Sequence, residues 1–243
     1  MKKGLWKLVL VFQIAFIFAI FFTYKELSHP KIVIEKRNFS TAVIKVPAVD
    51  ENGNGVMVTL MVGARGGEGR VLVDINQLLF WIDTQNSIQT ARDVAKKIVK
   101  MDLSNIDLIY SIKTNASIIG GPSAGAALTV ATIAALENKT LNPNITITGT
   151  INLDGSIGAV GEIAAKAKAA KEAGMKMILV PAGQGTETRY KQIKNCKEYG
   201  YGPIKTTYCE IEVIPEKIEI SEEIGIKVVE VAKIEEVLKY FFP

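Results

Sequence analysis

The chain has 243 residues, of which 48% are hydrophobic and 22% charged, and its net charge is only +4. These values fit one folded domain of about 200 residues and exclude a disordered chain. The basic residues are scattered among acidic ones and never cluster in groups of five or more, which argues against nucleic-acid binding.

The single histidine, His29, excludes much catalytic chemistry. It lies just beyond an apolar N-terminal run, a poor place for the positioned base of a Ser-His-Asp or Cys-His site. One histidine also cannot form an HExxH zinc motif. Cys196 and Cys209 form no CxxC pair, so we expect neither a metal site nor a cofactor. Whether these cysteines form a disulfide or stay as thiols is left open by the sequence.

The first 30 residues are predicted to form one transmembrane helix and a juxtamembrane segment. Leu8–Phe22 is uncharged and apolar except for Gln13, and with its flanks it is long enough to cross a bilayer. Three lysines before it predict a cytoplasmic N-terminus. The following sequence TYKELSHPK offers no small-x-small cleavage site, which favours an uncleaved signal anchor over a signal peptide. The domain over residues 31–243 is then expected outside the cytoplasm.

Beyond the anchor, the hydrophobic pattern predicts an α+β domain with mixed sheets and packed helices, because strands and helices mix without strict βαβ alternation. The first predicted strands are Lys31–Ile34, Ser40–Val46, Val56–Val62, Arg70–Asp74 and Asp107–Ile112. The glycine-rich Gly63–Gly69 is predicted to be a hairpin turn, since it lacks the GxxxxGK[ST] pattern of a phosphate loop. Helices are predicted at Ser87–Met101, which is amphipathic, and at Ala124–Leu136, which is almost wholly apolar and therefore expected to be fully buried.

The second half continues with a predicted hairpin, Ile145–Val160, that turns at Asp154-Gly155. A helix over Glu162–Ala173 is predicted to end at Gly174, and a short buried strand, Met177–Val180, to stop at Pro181. From residue 182 to 222 the pattern weakens. The remaining predicted elements are the strands Ile211–Ile214 and Ile226–Val231 and the helix Ile234–Phe242.

Ser123 is the candidate nucleophile. The segment GGPSAGA forces a sharp turn just before the apolar helix and places Ser123 where free N–H groups and the positive end of the helix dipole meet. A serine there can be an ordinary N-cap. However, Gly121 and Ala124 leave room for a substrate backbone, and N–H groups at a helix start can hold an oxyanion.

Lys166 is the candidate general base. On its predicted helix it lies with Ile163 and three alanines on the apolar face, whereas the other lysines lie on the polar face. Lysine stems can lie along apolar surfaces without any function. A desolvated amine, however, has a lowered pKa and can take a proton from a serine hydroxyl without a histidine.

These two motifs together resemble the proteolytic domain of Lon proteases, over about Gly53–Pro181. The resemblance is carried by GPSAG with Ser123, by TGT beginning at Thr148, by VGE before the helix, and by the helix end AAKEAG. It implies a Ser-Lys dyad of Ser123 and Lys166, with Thr148 helping to hold the lysine. Residues 182–243 are then a C-terminal extension of the core.

Four positions depart from the family pattern: Gly120 and Thr150 replace acidic residues, Ala165 replaces a glutamate, and Glu162 replaces a glycine. Glu162 is predicted one turn before Lys166, where pairing would raise the lysine pKa and oppose its role as a base. For this reason a non-catalytic Lon-like scaffold that binds peptides stays open as an alternative. A small-molecule kinase of related fold is a further alternative, although the loop lacks that class's second serine.

The resemblance also implies polypeptide substrates and a homo-oligomer, namely a hexameric ring. Lon proteases join this domain to an ATPase, whereas these 243 residues contain no Walker A sequence. We therefore expect a membrane-anchored, ATP-independent serine endopeptidase that cleaves unfolded or membrane-associated polypeptides.

Overall fold

The computed structural model of the chain describes residues 39–74, 82–114 and 121–242, together with Gln13 and Phe16. The chain divides into two compact units, Met1–Arg37 and Asn38–Pro243. The predicted anchor, apart from those two residues, and the predicted strand Lys31–Ile34 lie outside the described residues. Among the residues that are described, no helix has the length and apolar character needed to span a bilayer.

The first sheet has four strands in the order β1-β2-β4-β3. They are β1 (Ser40–Val49), β2 (Gly55–Gly66), β3 (Val71–Val73) and β4 (Ile106–Lys113). β1, β2 and β4 confirm three of the strands predicted from the hydrophobic pattern. β1 alternates buried and exposed residues over its first half, as expected for a sheet with one face on the core.

The predicted hairpin at Gly63–Gly69 is wrong. β2 continues to Gly66 and pairs antiparallel with β4, while β3 pairs with β4 in parallel. The intervening segment wraps around buried Asp107, whose Oδ1 accepts hydrogen bonds from the N–H groups of Glu68 and Arg70 at 2.8 and 3.0 Å. These bonds lower the pKa of the Asp107 carboxyl to about 2. A buried carboxylate therefore fixes the path of the chain between β2 and β3. The spacing of hydrophobic residues gives no indication of such a contact.

Two helices follow, of which the second packs against β1 and β2 and the first packs on the second. They are α1 (Ile82–Val99) and α2 (Gly125–Glu137), and a 3₁₀ turn, Pro122–Ala124, leads directly into α2. Every residue of α2 from Gly125 to Ala135 is buried, which confirms the predicted apolar helix. Small side chains let α2 lie close to its neighbours, so it forms the centre of the larger hydrophobic cluster.

The second half begins with a short strand and a small hairpin. These are β5 (Ile145–Ile147), β6 (Thr150–Ile151) and β7 (Ile157–Gly158), followed by α3 (Ile163–Glu172) and β8 (Met177–Pro181). The predicted hairpin is confirmed only for β6 and β7, because β5 instead pairs in parallel with β8. Gly174, with φ of 79°, follows the end of α3 as predicted.

A long antiparallel hairpin fills the region where the sequence pattern weakened. Its strands are β9 (Thr186–Tyr201) and β10 (Ile204–Glu219), and we call Thr186–Glu219 the arm. Nearly all of its residues are exposed, and Cys196 and Cys209 pair across it in a disulfide. The sequence predicted only Ile211–Ile214 of these strands.

The chain ends with α4 (Ile220–Ile224), β11 (Lys227–Val231) and α5 (Ile234–Phe241). β11, β8 and β5 form a parallel sheet in that order. The mixed sheets and packed helices confirm the predicted α+β arrangement.

Candidate active site

Ser123 is the middle residue of the 3₁₀ turn Pro122–Ala124 that leads into α2. Gly121 precedes the turn with φ of 103°, a conformation that favours glycine. The N-cap positions are Gly121 for the turn and Ala124 for α2, so Ser123 does not serve as an N-cap. Its side chain is half-buried, and no residue within the described part of the chain hydrogen-bonds to its hydroxyl.

The turn is held in place by the segment that follows β5. The Gly149 N–H donates to the Ser123 carbonyl at 2.9 Å, and the Ala126 N–H donates to the Gly149 carbonyl at 3.0 Å. A methyl group at Gly125 would approach the Ile151 side chain and backbone nitrogen to 2.8 Å. The small residues after Ser123 therefore allow close packing against β6, while an added methyl at Gly121 would have no atom of the described residues within 4 Å.

Thr148, the residue next to Gly149, is almost completely buried at 1% exposure. Its N–H donates to the Leu179 carbonyl of β8 at 3.0 Å. Its Oγ1 is buried and has no hydrogen-bond partner among the residues described. Thr146, two residues earlier, donates its hydroxyl to the Lys45 carbonyl at 2.7 Å. An unpartnered buried hydroxyl is uncommon and usually has a functional reason.

Lys166 is only 3% exposed, which confirms the apolar position predicted on its helix. Around it, Ile163, Ala167 and Ala170 of α3 pack against Ile178 and Val180 of β8 in a second hydrophobic cluster. No salt bridge or hydrogen bond joins its amine to another described residue. Burial lowers the pKa of Lys166 to about 8, and this effect outweighs the raising influence of Glu162.

The helix that carries Lys166 is fixed against the first sheet by a glycine. A methyl group at Gly55, the first residue of β2, would collide with the Ala165 carbonyl oxygen. On its other side α3 rests on β8, the strand whose Leu179 carbonyl binds Thr148. Ser123 and Thr148 are thus joined directly through Gly149, and Lys166 is carried by a helix packed on the same strand.

Residues 85–196 match the family model described as the Lon protease (S16) C-terminal proteolytic domain. Over 88 residues the chain is 35% identical to the archaeal Lon protease of Thermoplasma volcanium, covering 36% of this chain and 13% of that protein. It is 30% identical over 98 residues to the archaeal Lon protease of Methanothermobacter thermautotrophicus, covering 40% and 15%. The central part of the chain is Lon-like.

The Lon resemblance inferred from the motifs is therefore confirmed, and the match supports a serine-type peptidase. The match includes the candidate residues Ser123, Thr148 and Lys166. The chain spans only about 13–15% of the length of these curated Lon relatives.

Glu162 lies one turn before Lys166 as predicted, since the Lys166 N–H donates to the Glu162 carbonyl at 3.0 Å. α3 begins at Ile163, and Glu162 is its exposed N-cap in a left-handed conformation with φ of 58°. At this position its carboxylate forms no ion pair with the amine, and the pKa of Lys166 stays well below its ordinary value. The Glu162 carboxylate raises the pKa of Lys166, but by less than burial lowers it.

Sequence reasoning missed Gln184, which fixes the loop before α3. Its Oε1 accepts a hydrogen bond from the Val160 N–H at 3.0 Å, and its Nε2 donates to the Val160 carbonyl at 2.8 Å. The loop and the base of the arm line a cavity of about 260 Å³ next to the start of α3. Gln184 lies in a polar segment without periodicity, so nothing in the sequence indicated this role.

No group of three His, Cys, Asp or Glu side chains in the described ranges is placed to hold a metal ion.

Proposed function

We propose that the chain is a serine endopeptidase in which Ser123 is the nucleophile and Lys166 the general base. The observation that carries this proposal is the buried amine of Lys166, which has a pKa of about 8 and no ion-pair partner among the described residues. A substantial fraction of such an amine is neutral near physiological pH, whereas an ordinary lysine is almost fully protonated.

In the proposed reaction, neutral Lys166 takes the proton from the Ser123 hydroxyl as its oxygen attacks the carbonyl carbon of the peptide bond. Backbone N–H groups at the turn stabilise the oxyanion of the tetrahedral intermediate. When the intermediate collapses, the Lys166 ammonium donates its proton to the leaving amine. Water activated by the same lysine then hydrolyses the acyl-enzyme and restores the serine.

Thr148 is proposed as a positioning residue. Its Oγ1 is buried and has no hydrogen-bond partner among the described residues, so it is available as an acceptor. A protonated Lys166 needs such an acceptor for one of its N–H groups before it transfers a proton to the leaving amine. The unpartnered hydroxyl and the unpartnered amine therefore complement each other chemically.

We propose unfolded or membrane-associated polypeptides as substrates and cleavage without ATP, since the sequence contains no phosphate-binding GxxxxGK[ST] motif. The apolar run Leu8–Phe22 supports a membrane anchor with a cytoplasmic N-terminus and an extracytoplasmic catalytic unit. The disulfide between Cys196 and Cys209 is consistent with an oxidising compartment. The Lon resemblance supports a homo-oligomer, with a hexameric ring as the specific proposal.

Hydrolysis of unfolded casein by the detergent-solubilised full chain, without ATP, tests the function. We expect Ser123→Ala and Lys166→Ala each to abolish cleavage, and a serine-directed covalent probe to label Ser123. Ser104→Ala and Lys168→Ala are matched controls on exposed residues and should cleave normally. If either dyad variant keeps the full rate, the proposed dyad is wrong. If the wild-type chain binds casein without cutting it, the scaffold alternative is correct.

A further inference from the structure

The connection between β7 and α3, residues 159–161, is held by one side chain. Its central residue, Val160, donates its N–H to Gln184 Oε1 at 3.0 Å, and its carbonyl accepts a hydrogen bond from Gln184 Nε2 at 2.8 Å. No other main-chain group of residues 159–161 forms a hydrogen bond with a described residue. The path of this connection therefore depends on a single glutamine amide.

The loop that carries Gln184 is itself fixed to β11. The Gly183 and Gly185 N–H groups donate to the two carboxylate oxygens of Glu230 at 2.8 and 2.7 Å. These two bonds lower the pKa of the Glu230 carboxyl. The Gly185 carbonyl also accepts the N–H of Ile220 at 3.1 Å, which ties the loop to α4. Gln184 therefore projects from a main chain that is anchored on both of its sides.

The connection leads directly to α3, the helix of Lys166. Its next residue is Glu162, the left-handed N-cap, whose side chain makes no capping hydrogen bond. The Glu162 carbonyl accepts the Lys166 N–H at 3.0 Å, so the position of the first turn depends on the chain just before it. Val160 also packs against the hydrophobic cluster that contains Ile163. The two bonds from Gln184 thus fix both the start of this helix and part of its apolar packing.

We infer that Gln184 is a positioning residue for Lys166, because by locking Val160 it holds the start of α3 and keeps the amine in place and away from water. This inference rests on the proposed role of Lys166 as the general base. Misplacing a reacting group by about 1 Å can cost about 100-fold in rate, so a bond that acts through the backbone can control the reaction. A glutamine with only a structural role would change stability and leave the titration of the amine as it is.

Gln184→Met tests this role, because methionine has a similar length but cannot bond to either main-chain group of Val160. For casein hydrolysis by the full chain, we expect kcat to fall about tenfold and KM to change by less than about twofold. The pH midpoint of kcat should rise by about half a unit or more, since loosened packing admits water to the amine. Gln192→Met, at an exposed position of the arm, is the matched control and should leave all three quantities unchanged.

A second variant tests the support of the glutamine. Glu230→Met removes the acceptors of the Gly183 and Gly185 N–H groups, so kcat should fall and its pH midpoint should rise as in Gln184→Met. The double variant should show little further loss, because both changes release the same connection. Losses that multiply in the double variant would contradict this route.

Titration of the amine itself separates this inference from the proposed function. Isotope-labelled lysine Cε signals are followed by NMR in the full-length Ser123→Ala chain, and the signal lost on adding Lys166→Met belongs to Lys166. We expect its midpoint at about 8. Adding Gln184→Met should raise this midpoint by about half a unit or more. Gln184→Asn, whose shorter side chain cannot keep both bonds to Val160, should do the same and replaces Gln184→Met if that variant does not fold.

An unchanged midpoint in the folded Gln184 variants would overturn the positioning role, even if Lys166→Ala abolishes casein hydrolysis and so supports the peptidase. If the wild-type chain does not cleave casein, the peptidase proposal fails. The titration in the Ser123→Ala background then still decides whether Gln184 controls the surroundings of the amine, because it needs no activity.

Discussion

Lysines without ion-pair partners among the described residues occur in two opposite environments of this protein. Lys166 is packed among alanines and isoleucines of α3 and β8, whereas Lys191, Lys194 and Lys197 project into solvent from the arm. Water solvates an exposed ammonium well, so the arm lysines lose little by having no partner. The same ammonium in a dry helix face is destabilised relative to the neutral amine.

The comparison shows that the surroundings decide what a lysine contributes. In the arm, charge is available for attraction to another molecule. On α3, burial favours the neutral amine more than in an exposed lysine, which is the property that the proposed general base requires. The predictions below test this contrast from the largest expected effect to the smallest.

Replacing Lys166 with Met removes the amine and keeps the length of the side chain. We expect peptide hydrolysis to fall by about 10³-fold or more, as when other catalytic dyad groups are removed. At pH 7 the free energy of unfolding should rise, by up to about 3 kcal/mol, because a buried charge is no longer required. Lys168→Met, on the exposed face, should change neither quantity appreciably. Lower stability of Lys166→Met at pH 7 would contradict the buried-charge argument.

The pH dependence provides the second test. Peptide hydrolysis should fall about tenfold for each pH unit below about 8, because Lys166 must be neutral to act as a base. Glu162→Gln should move this midpoint to lower pH, since the carboxylate raises the pKa of Lys166. Glu172→Gln, at the far end of α3, should leave it in place.

The same pKa predicts a stability change. Between pH 8 and 10.5 the unfolded lysine holds a proton that the folded one has lost, so the free energy of unfolding should rise with pH. Denaturant titrations at several pH values measure this, and the rise attributable to Lys166 should be absent in Lys166→Met. A wild-type protein whose stability over this range matches that variant would contradict the lowered pKa.

Thr148→Val and Thr146→Val compare an unpartnered buried hydroxyl with a hydrogen-bonded one two residues away. For Thr148→Val we expect about tenfold slower hydrolysis and no loss of stability, because no described partner is left without a hydrogen bond. Thr146→Val, by contrast, should lower the free energy of unfolding by about 1 kcal/mol, since the Lys45 carbonyl loses its donor. Urea denaturation and casein assays on both variants distinguish the two roles. Equal destabilisation by the two substitutions would show that Thr148 is only structural.

The smallest effect is expected for a single arm lysine. Lys191→Met, measured in 1 M NaCl where surface charges are screened, should change the free energy of unfolding by less than about 0.5 kcal/mol. A change of several kcal/mol would mean that the arm lysine is not in the open environment that the structure describes.

The sequence predicted structure correctly where the spacing of apolar residues indicates which residues are buried. The apolar character of α2 and the position of Lys166 on its helix both followed from spacing, because one face of a helix must pack against the core. The arm was missed for the same reason. Its strands are exposed on both faces, so no alternation of polar and apolar residues marks them.

Local backbone geometry accounts for the other errors. Glu162 has the spacing of a partner for Lys166, but spacing does not indicate its left-handed conformation at the N-cap of α3. The unpartnered Oγ1 of Thr148 and the bonds from Gln184 to Val160 depend on contacts between segments that are distant in sequence. No spacing rule within one segment reports such contacts.

The position of the disulfide has a consequence under the proposed peptidase activity. The described side chains of the arm tip, between Cys196 and Cys209, are exposed to solvent. A chain nicked anywhere in that tip stays in one piece, because the two fragments remain covalently joined. Cleavage in the arm tip would therefore not separate the fragments on a non-reducing electrophoresis gel. Two fragments would be resolved only after the disulfide was reduced.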